Sequence, residues 1–255
     1  MVAGQLGSGV FMNSKTMIDA YSEIAPHYEE YSSARLGYLN AVDEQVEKRL
    51  SSDMRLLDIG AGDGRRTVKI QTALGLKDIV AVEPSAGMAA LCREVIQGKV
   101  YEITAEDLSP VEESDFDSAL ALWNVFGHIP GSAMRLKALQ EIFKKLKPGG
   151  ILMMDINNRH NACAYGLGTV FTRVLVDMLN FNEKRGDASY VWKIGDKEFQ
   201  ASGHLFVASE IEGLFKKAGF HIEERFTLHY LTGSLSKSKY HGQLFYVLKK
   251  IRHEI

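Results

Sequence analysis

Leu56-Leu57-Asp58-Ile59-Gly60-Ala61-Gly62-Asp63-Gly64 is the stretch that decides the fold. An apolar run that ends in three alternating glycines predicts a buried strand, and a helical pattern begins at Arg65. A second apolar run ends at Val82-Glu83-Pro84-Ser85. Glycines let backbone N–H groups approach a ligand closely, and a carboxylate after the second strand can accept hydrogen bonds from two ribose hydroxyls. The pattern therefore predicts a nucleoside site in an α/β sheet.

The glycine spacing separates this site from a nicotinamide site. A dinucleotide fingerprint needs G-x-G-x-x-G, but the place of its third glycine is taken here by Arg65. Asp58, on the strand before the loop, suits a cationic group better than a pyrophosphate. Both features disfavour a nicotinamide oxidoreductase, which would use the same kind of sheet.

The stretch resembles the first motif of the class I, Rossmann-like S-adenosylmethionine-dependent methyltransferases of the small-molecule type. The resemblance extends from about Met17 to Lys250. It implies S-adenosyl-L-methionine as cofactor and S-adenosyl-L-homocysteine as product, with the glycine loop around the amino-acid part and Glu83 on the ribose. The alternative is a glycine-rich strand–helix turn in another α/β enzyme.

Alternating strands and helices predict an α/β fold with a mostly parallel sheet. We predict strands at Arg55–Ile59, Ile79–Glu83, Val100–Ile103, Asp117–Leu122, Ile151–Ile156, Phe220–Tyr230 and Leu244–Lys250. The last two have no helix between them, which suggests an antiparallel edge. The resemblance implies a Rossmann-like seven-stranded sheet of order 3-2-1-4-5-7-6, with the last strand antiparallel and helices on both faces.

We expect a single methyltransferase domain over residues 1–255, with a glycine-rich, disordered segment at 1–13 and an N-terminal helical cap at 14–50. Residues 157–208 break the alternation, so we interpret them as a substrate-side insertion. Its helix is predicted by apolar residues at helical spacing, namely Phe171, Val174, Leu175 and Met178. Its strand is predicted by the alternation of Tyr190, Trp192 and Ile194, followed by a turn at Gly195-Asp196.

Composition places the chain among globular proteins. Its 255 residues are 45% apolar and 24% charged, which suits one well-buried α/β domain. The two cysteines, Cys92 and Cys163, make no disulfide framework. An apolar run of 18 residues and a basic signal-peptide start are both absent, so we expect a cytoplasmic protein without a membrane partner.

The charge of the chain is unevenly distributed. The net charge of −2 argues against a general nucleic-acid binder. Residues 1–127 hold 11 Lys and Arg against 20 Asp and Glu, a net of −9, whereas residues 128–255 hold 19 against 12, a net of +7. The positive half suits an anionic substrate or a polyanion, although solvated helix faces with a basic tail would give the same numbers.

The resemblance also implies the rest of the cofactor site. Tyr28 belongs to the stretch Tyr21–Glu29, which resembles an N-terminal motif that caps the cofactor in related enzymes. Ser85 is a predicted helix N-cap. The stretch Tyr101–Leu108 resembles the part of the family motif that binds the adenine. Thr104 stands there in place of the usual Asp, whose role Glu106 could take. The predicted cofactor-binding residues are Tyr28, Asp58, Gly60, Ala61, Gly62, Gly64, Glu83, Pro84, Ser85, Met88, Ala105, Glu106, Trp123 and Asn124.

Two histidines are candidate catalytic residues. His128 follows the fourth strand, where it could take a proton from a substrate hydroxyl or amine, because imidazole titrates near working pH. His160 follows the fifth strand, in a polar cluster with Asn157 and Asn158 that we expect nearest the acceptor. A histidine bonded within its loop and an ordinary strand-exit loop are the respective alternatives. The His and Cys spacing suggests no zinc site, and we predict no required metal.

These expectations combine into an enzyme of class EC 2.1.1.-. It would transfer a methyl group to an oxygen or nitrogen nucleophile of a small polar or anionic metabolite, as a monomer or a homodimer. A methyltransferase acting on RNA or another polyanion and a non-catalytic S-adenosylmethionine-binding protein remain alternatives. The Asn-Pro-Pro-Tyr/Phe motif that serves flipped bases is missing after the fourth strand, which counts against DNA.

Overall fold

The computed structural model describes residues 14–194 and 197–251. The expected disorder of residues 1–13 and the expected turn at Gly195-Asp196 lie outside the described residues. The strands are β1 (Arg55–Ile59), β2 (Asp78–Val82), β3 (Lys99–Tyr101), β4 (Phe116–Ala121), β5 (Leu146–Ile156), β6 (Asp187–Ile194), β7 (Lys197–His204), β8 (Phe220–Leu228), β9 (Leu235–Ser236) and β10 (Gln243–Lys250).

Ten α-helices and two short 3₁₀ turns, Ala25–His27 and Glu183–Gly186, lie in the described part of the chain. The helices are α1 (Ser14–Ile24), α2 (Tyr28–Ser33), α3 (Leu36–Glu47), α4 (Arg65–Leu74), α5 (Ala86–Val95), α6 (Val125–His128), α7 (Gly131–Lys145), α8 (Ala162–Tyr165), α9 (Leu167–Leu179) and α10 (Ala208–Ala218). Ser85 caps α5 as predicted, since its hydroxyl accepts a hydrogen bond from the Met88 N–H.

The main sheet has the order β3-β2-β1-β4-β5-β10-β8-β9. Its first seven strands match the predicted order 3-2-1-4-5-7-6, and β10 is antiparallel to both of its neighbours, as predicted. The sequence did not predict the eighth strand. β9 contains two residues and pairs only with Thr227 and Leu228 of β8, which is too short for an alternating pattern to show.

The start of β5 differs from the prediction. The strand begins at Leu146 and not at Ile151, and Pro148-Gly149-Gly150 lies inside its bounds. Leu146 pairs with Phe116, and regular pairing to β4 resumes only at Ile151. Proline and glycine are typical of such irregular strand positions, so the regular part of β5 agrees with the predicted strand.

Both faces of the sheet are covered. Leu57 and Ile59 of β1 pack with α7 and α10, whereas Leu56 belongs to the cluster that contains α3 and α4. This alternation buries a parallel strand on two sides. Because β1 pairs in parallel with both β2 and β4, the carboxyl ends of these three strands reach one edge of the sheet. Ligands bind at that edge in open α/β folds.

The N-terminal helices and the β6–β7 hairpin meet over that edge. Met17 and Ile24 of α1 share a buried cluster with Met88 of α5 and with Trp192 and Ala201 of the hairpin. The Ser202 N–H also lies 3.1 Å from the Met17 sulfur. Two segments that are distant in sequence thus pack together over this edge of the sheet.

Helix α9 lies on the surface with its apolar side outward. Phe171 is 69% exposed and Met178 is 80% exposed, whereas Asp177 of the same helix is buried. Arg159 and His160 pair with Asp177 and attach the helix through its polar side. Within the described residues, no helix is long and apolar enough to cross a membrane. Both cysteines are free, Cys92 buried and Cys163 exposed.

Candidate functional site

The loop after β1 depends on glycine at three positions. Gly60, Gly62 and Gly64 have φ angles of +70°, +60° and +77°, in the left-handed region that L-amino acids disfavour. A Cβ on Gly64 would lie 3.0 Å from the Cys92 sulfur, so this glycine also permits close packing of the loop on α5. The backbone N–H of Gly60 donates to the Val82 carbonyl at 2.7 Å, which fastens the loop to β2.

Glu83 holds a buried carboxylate at the end of β2. Its Oε2 accepts a hydrogen bond from the Gly62 N–H at 2.9 Å, and its Oε1 accepts one from the Ser85 N–H at 2.8 Å. Burial raises the pKa of Glu83 to about 7, and the two backbone N–H groups oppose that shift. Each oxygen keeps a further lone pair for a donor from the cleft.

A cleft of about 810 Å³, partly open to solvent, lies over these groups. Ten predicted residues line it, namely Tyr28, Gly60, Gly62, Glu83, Pro84, Ser85, Ala105, Glu106, Trp123 and His128. Residues outside the predicted set also line it, among them Met17, Ile18, Tyr21, Thr104, Val125 and Ile129. Tyr21 had a signal in the sequence, because it opens the N-terminal motif that contains Tyr28.

The other predicted residues do not line the cleft: Asp58, Ala61, Gly64, Met88, Asn124 and His160. Met88 is fully buried in the core cluster under α1. Asp58 faces α4, where the Thr67 hydroxyl donates to its carboxylate. Burial raises the pKa of Asp58 to about 6, and the Thr67 hydrogen bond lowers it in part. The structure therefore places Asp58 behind the glycine loop.

Trp123 and Asn124 form a strained corner at the end of β4. Both have left-handed φ angles, +63° and +64°, which are unusual for residues other than glycine. The buried Asp155 of β5 fixes the corner, since its Oδ1 accepts from the Trp123 N–H at 2.5 Å. Its Oδ2 accepts from the Tyr38 hydroxyl at 2.6 Å. Asn124 supports the corner from the other side, because its Oδ1 accepts from the Asn157 N–H.

His128 lines the cleft and has both ring nitrogens engaged. Nδ1 lies 3.0 Å from the Ser202 carbonyl oxygen, and Nε2 lies 3.0 Å from the Tyr21 hydroxyl. A carbonyl only accepts, so Nδ1 carries the proton and Nε2 accepts from Tyr21. Burial lowers the pKa of His128 to about 4. At neutral pH the ring is therefore uncharged, with a fixed tautomer.

His160 lies in a different cavity, which Asp177, Lys239 and Tyr240 also line. Its Nε2 lies 3.0 Å from Asp177 Oδ2, the oxygen that also pairs with Arg159. The structure does not bring His160 together with His128. Asn158 is likewise engaged elsewhere, since its amide donates to the carbonyls of Lys239 and Gly242.

Six aromatic rings pack against one another beside the cleft, and we call them the aromatic cluster. Its members are Tyr21, Tyr28, Tyr31, Trp123, Tyr190 and Trp192. Trp192 of the hairpin lies 5.1 Å from Tyr21, between ring centroids, and Tyr31 stacks on Trp123 at 5.6 Å. The cluster joins the N-terminal helices, the β4 exit and the hairpin. Among the described residues, no group of three His, Cys, Asp or Glu is placed to hold a metal ion.

A family model described as a methyltransferase domain matches residues 57–154, the span that contains the glycine loop, Glu83 and the β4 exit. Residues 57–154 are a methyltransferase domain. The surrounding architecture is the Rossmann-like fold of the class I S-adenosylmethionine-dependent methyltransferases, as the sequence predicted. No curated protein sequence matches the chain significantly.

Solved methyltransferase structures share this fold over most of their length. A Thermotoga maritima S-adenosylmethionine-dependent methyltransferase, described as a possible histamine N-methyltransferase, is similar with a TM-score of 0.63 and 21% identity, over 92% of this chain and 100% of that one. The CcbJ methyltransferase of Streptomyces caelestis has a TM-score of 0.66 and 15% identity, over 91% and 98%. CalS10, an amino pentose methyltransferase from Micromonospora echinaspora, has a TM-score of 0.57 and 18% identity, over 88% of this chain and 96% of that one.

The residues of this methyltransferase domain fit S-adenosylmethionine, the cofactor of the class. A nucleoside needs an acceptor for its ribose hydroxyls, and the Glu83 carboxylate lines the cleft with lone pairs to spare. A bound amino-acid part needs close backbone approach, and a Cβ on Gly62 would have no atom nearer than the Tyr28 ring at 3.7 Å. The loop therefore leaves room on its cleft side.

Proposed function

We propose that this S-adenosylmethionine-dependent methyltransferase transfers the methyl group to an oxygen or nitrogen nucleophile of a small polar metabolite. The observation that carries the proposal is the buried Glu83 carboxylate, bonded to the glycine loop and lining an aromatic cleft. The acceptor would lie in the cleft, between that carboxylate and the His128 ring.

In this proposal Glu83 holds the ribose and the glycine loop holds the amino-acid part. Thr104, Ala105 and Glu106 line the cleft together and would hold the adenine. Asp58 would act indirectly, through the hydrogen bond with Thr67 that holds α4 against the loop. When bound, the cofactor supplies a methyl group that is activated by its positive sulfur.

The remaining task of the protein is alignment and exclusion of water. Holding two reactants in line can lower the activation barrier by on the order of 7–11 kcal/mol. Tyr21 lines the cleft from the cap, and Trp192 of the hairpin packs against the Tyr21 ring. His128 is oriented from both sides, by Tyr21 and by the Ser202 carbonyl, so it would position an acceptor with a defined ring face.

A small acceptor is favoured because side chains of α1 line the cleft and the hairpin packs against that helix. Three basic residues of the positive half are paired with carboxylates and do not line the cleft. Arg159 and Arg185 face Asp177, and Lys193 pairs with Glu198 at 2.7 Å on the surface. These pairings give no support to an RNA or another polyanion as the acceptor.

Direct binding and turnover test the proposal. We expect S-adenosylmethionine and S-adenosylhomocysteine to bind the purified protein by calorimetry, with no binding of NAD⁺. Incubation with pooled small metabolites should form S-adenosylhomocysteine, whereas bulk RNA should not stimulate it. Binding without turnover on any pool would indicate a non-catalytic binding protein, and binding of NAD⁺ alone would indicate an oxidoreductase.

A further inference from the structure

We propose that the methyl acceptor is an amine, and that the rings of Tyr21, Tyr28 and Trp123 stabilise the positive charge that the nitrogen gains. The inference rests on the proposed function and names the acceptor class of the same cleft. All three rings line the cleft. They come from α1, α2 and the β4 exit, so the fold assembles them from separate segments.

The cleft offers no positive charge to an acceptor. No Lys or Arg is among its lining residues in the described chain, and the two lining carboxylates, Glu83 and Glu106, are those that the proposed function assigns to the cofactor. Arg65 of the glycine loop and Arg35 of the cap are already engaged. Arg65 pairs with Glu29 at 2.6 Å, and Arg35 lies over the Tyr31 ring while its Nε donates to the Tyr230 hydroxyl. An anionic acceptor would lack the paired cation that such groups need when they are desolvated.

The basic group in the cleft is weak. The His128 Nε2 lone pair already accepts the Tyr21 hydroxyl, and burial lowers the pKa of His128 to about 4. An alcohol must give up its proton as it attacks, so it needs a stronger base than this ring. An uncharged amine carries its own lone pair and needs no base before the transfer.

The transfer to an amine balances without a further reactant. The nitrogen lone pair forms the new bond to the methyl carbon as the carbon–sulfur bond breaks, and the electron pair of that bond goes to sulfur. The positive charge thereby moves from sulfur to nitrogen, and an N–H proton leaves to water after release. Aromatic faces attract a cation most strongly when it is desolvated. The rings can therefore stabilise the positive charge on sulfur before the transfer and on nitrogen after it.

The test measures binding of a cation and of its uncharged copy, and does not depend on knowing the acceptor. The protein is saturated with S-adenosylhomocysteine and titrated in a calorimeter with choline, with 3,3-dimethylbutan-1-ol and with 3,3-dimethylbutanoate. The alcohol has the shape of choline without its charge, and the carboxylate carries the opposite charge. We expect choline to bind at least about tenfold more tightly than either of the others.

The variants separate ring recognition from a general effect on the fold. Trp123→Leu and Tyr28→Leu should each reduce the preference for choline about fivefold or more, and Trp123→Phe should restore most of it. Tyr240→Leu is the matched control, because Tyr240 lines the other cavity and should leave the preference unchanged. Circular dichroism and the S-adenosylhomocysteine affinity report whether each variant is folded.

Equal binding of choline and its alcohol copy, tighter binding of the carboxylate, or no binding of choline would each overturn the amine inference. Those results leave the proposed function standing as long as S-adenosylhomocysteine binds. Failure of S-adenosylhomocysteine to bind overturns the proposed function itself, and the amine inference with it.

Discussion

The Tyr21 hydroxyl donates a hydrogen bond of 3.0 Å to Nε2 of His128. The other ring nitrogen donates to the Ser202 carbonyl. One imidazole thus joins α1, the β4 exit and the hairpin strand β7. Because each bond fixes the ring from a different segment, the protonation state of His128 reports whether the cleft is assembled.

Removing the Tyr21 hydroxyl should raise the pKa of His128. The hydroxyl donates to the uncharged form of the ring, so Tyr21→Phe takes away a contact that disfavours protonation. We expect the pKa of His128 to move from about 4 upward toward its usual value. An NMR titration of the imidazole measures it. Tyr31→Phe is the control from the same aromatic cluster, and an unchanged titration in Tyr21→Phe would contradict the hydrogen bond.

Burial of uncharged His128 should make the protein sensitive to acid. The pKa of His128 is about 4 in the folded chain, against 6.5 for its ordinary value. Between these two values the unfolded chain binds a proton that the folded chain does not, so the free energy of unfolding falls as pH falls from 6.5 to 4.

His128→Gln should remove this part of the acid sensitivity. Between pH 7 and pH 4.5 the wild type should lose roughly 2 kcal/mol more stability than the variant. Urea unfolding of both proteins at the two pH values measures the difference, and all other titrating groups cancel in the comparison. Parallel losses in the two proteins would show that His128 is protonated while the chain is folded.

At a pH above 7, where the Glu83 carboxylate is charged, Glu83→Ala should weaken cofactor binding at least about a hundredfold, because two charge-assisted hydrogen bonds are each worth about 1.5–3 kcal/mol. The substitution also leaves the N–H groups of Gly62 and Ser85 without their acceptor. Calorimetric titration with S-adenosylhomocysteine measures the loss. Glu102→Ala removes an exposed carboxylate that pairs with Arg93 and should change nothing. Unchanged affinity in Glu83→Ala would remove the ribose assignment.

Gly62→Val and Gly60→Ala should distinguish the loss of room for the ligand from the disruption of packing inside the protein. A side chain on Gly62 would point where the nearest atoms are 3.7 Å away on Tyr28, so it takes ligand space. A Cβ on Gly60 would lie 2.6 Å from Val125, so it must displace that residue. Both substitutions carry a left-handed penalty of roughly 1–2 kcal/mol.

We therefore expect Gly62→Val to abolish S-adenosylhomocysteine binding in a protein that still unfolds cooperatively. Gly60→Ala should lower the midpoint of thermal unfolding further than Gly62→Ala does. Calorimetry and thermal denaturation measure the two effects on the same samples. Normal binding by Gly62→Val would show that the loop is not the cofactor cradle.

The parts of the molecule that the sequence predicted well are those with local signals. The bounds of β1, the cap at Ser85 and the position of Glu83 depend on residues within a few positions of each other. The same holds for the glycine loop, whose alternate spacing is explained by three left-handed φ angles. The sheet order followed from the family resemblance, and not from the pattern itself.

The parts that escaped prediction depend on contacts between distant segments. A stripe at helical spacing predicted α9 but could not show that Phe171 faces solvent while Asp177 is buried. The position of a histidine just after a strand made His128 and His160 equal candidates for catalysis. In the structure His128 lines the cleft, whereas His160 faces Asp177 in another cavity. The Tyr21–His128 pair spans 107 positions of sequence, so no local pattern could indicate it.

The helix α9 and the β6–β7 hairpin both belong to the predicted insertion, residues 157–208, yet only the hairpin reaches the aromatic cluster. Trp192 is 5% exposed and packs against Tyr21, whereas Phe171 is 69% exposed. Trp192→Ala should therefore cost about 3–5 kcal/mol of unfolding free energy, as for other buried aromatic residues. Phe171→Ala should stay within about 0.5 kcal/mol.

The same pair of variants tests which part of residues 157–208 serves the reaction. At a temperature where both are folded, Trp192→Ala should lose most turnover while its S-adenosylhomocysteine affinity stays within about tenfold, or 1.4 kcal/mol. Phe171→Ala should keep both. Replacing residues 166–200 by a Gly/Ser linker should reproduce the Trp192→Ala result, because the linker removes that ring along with α9. Full turnover in the linker protein would show that neither element contacts the acceptor, and loss of turnover in Phe171→Ala alone would assign the acceptor to the α9 side.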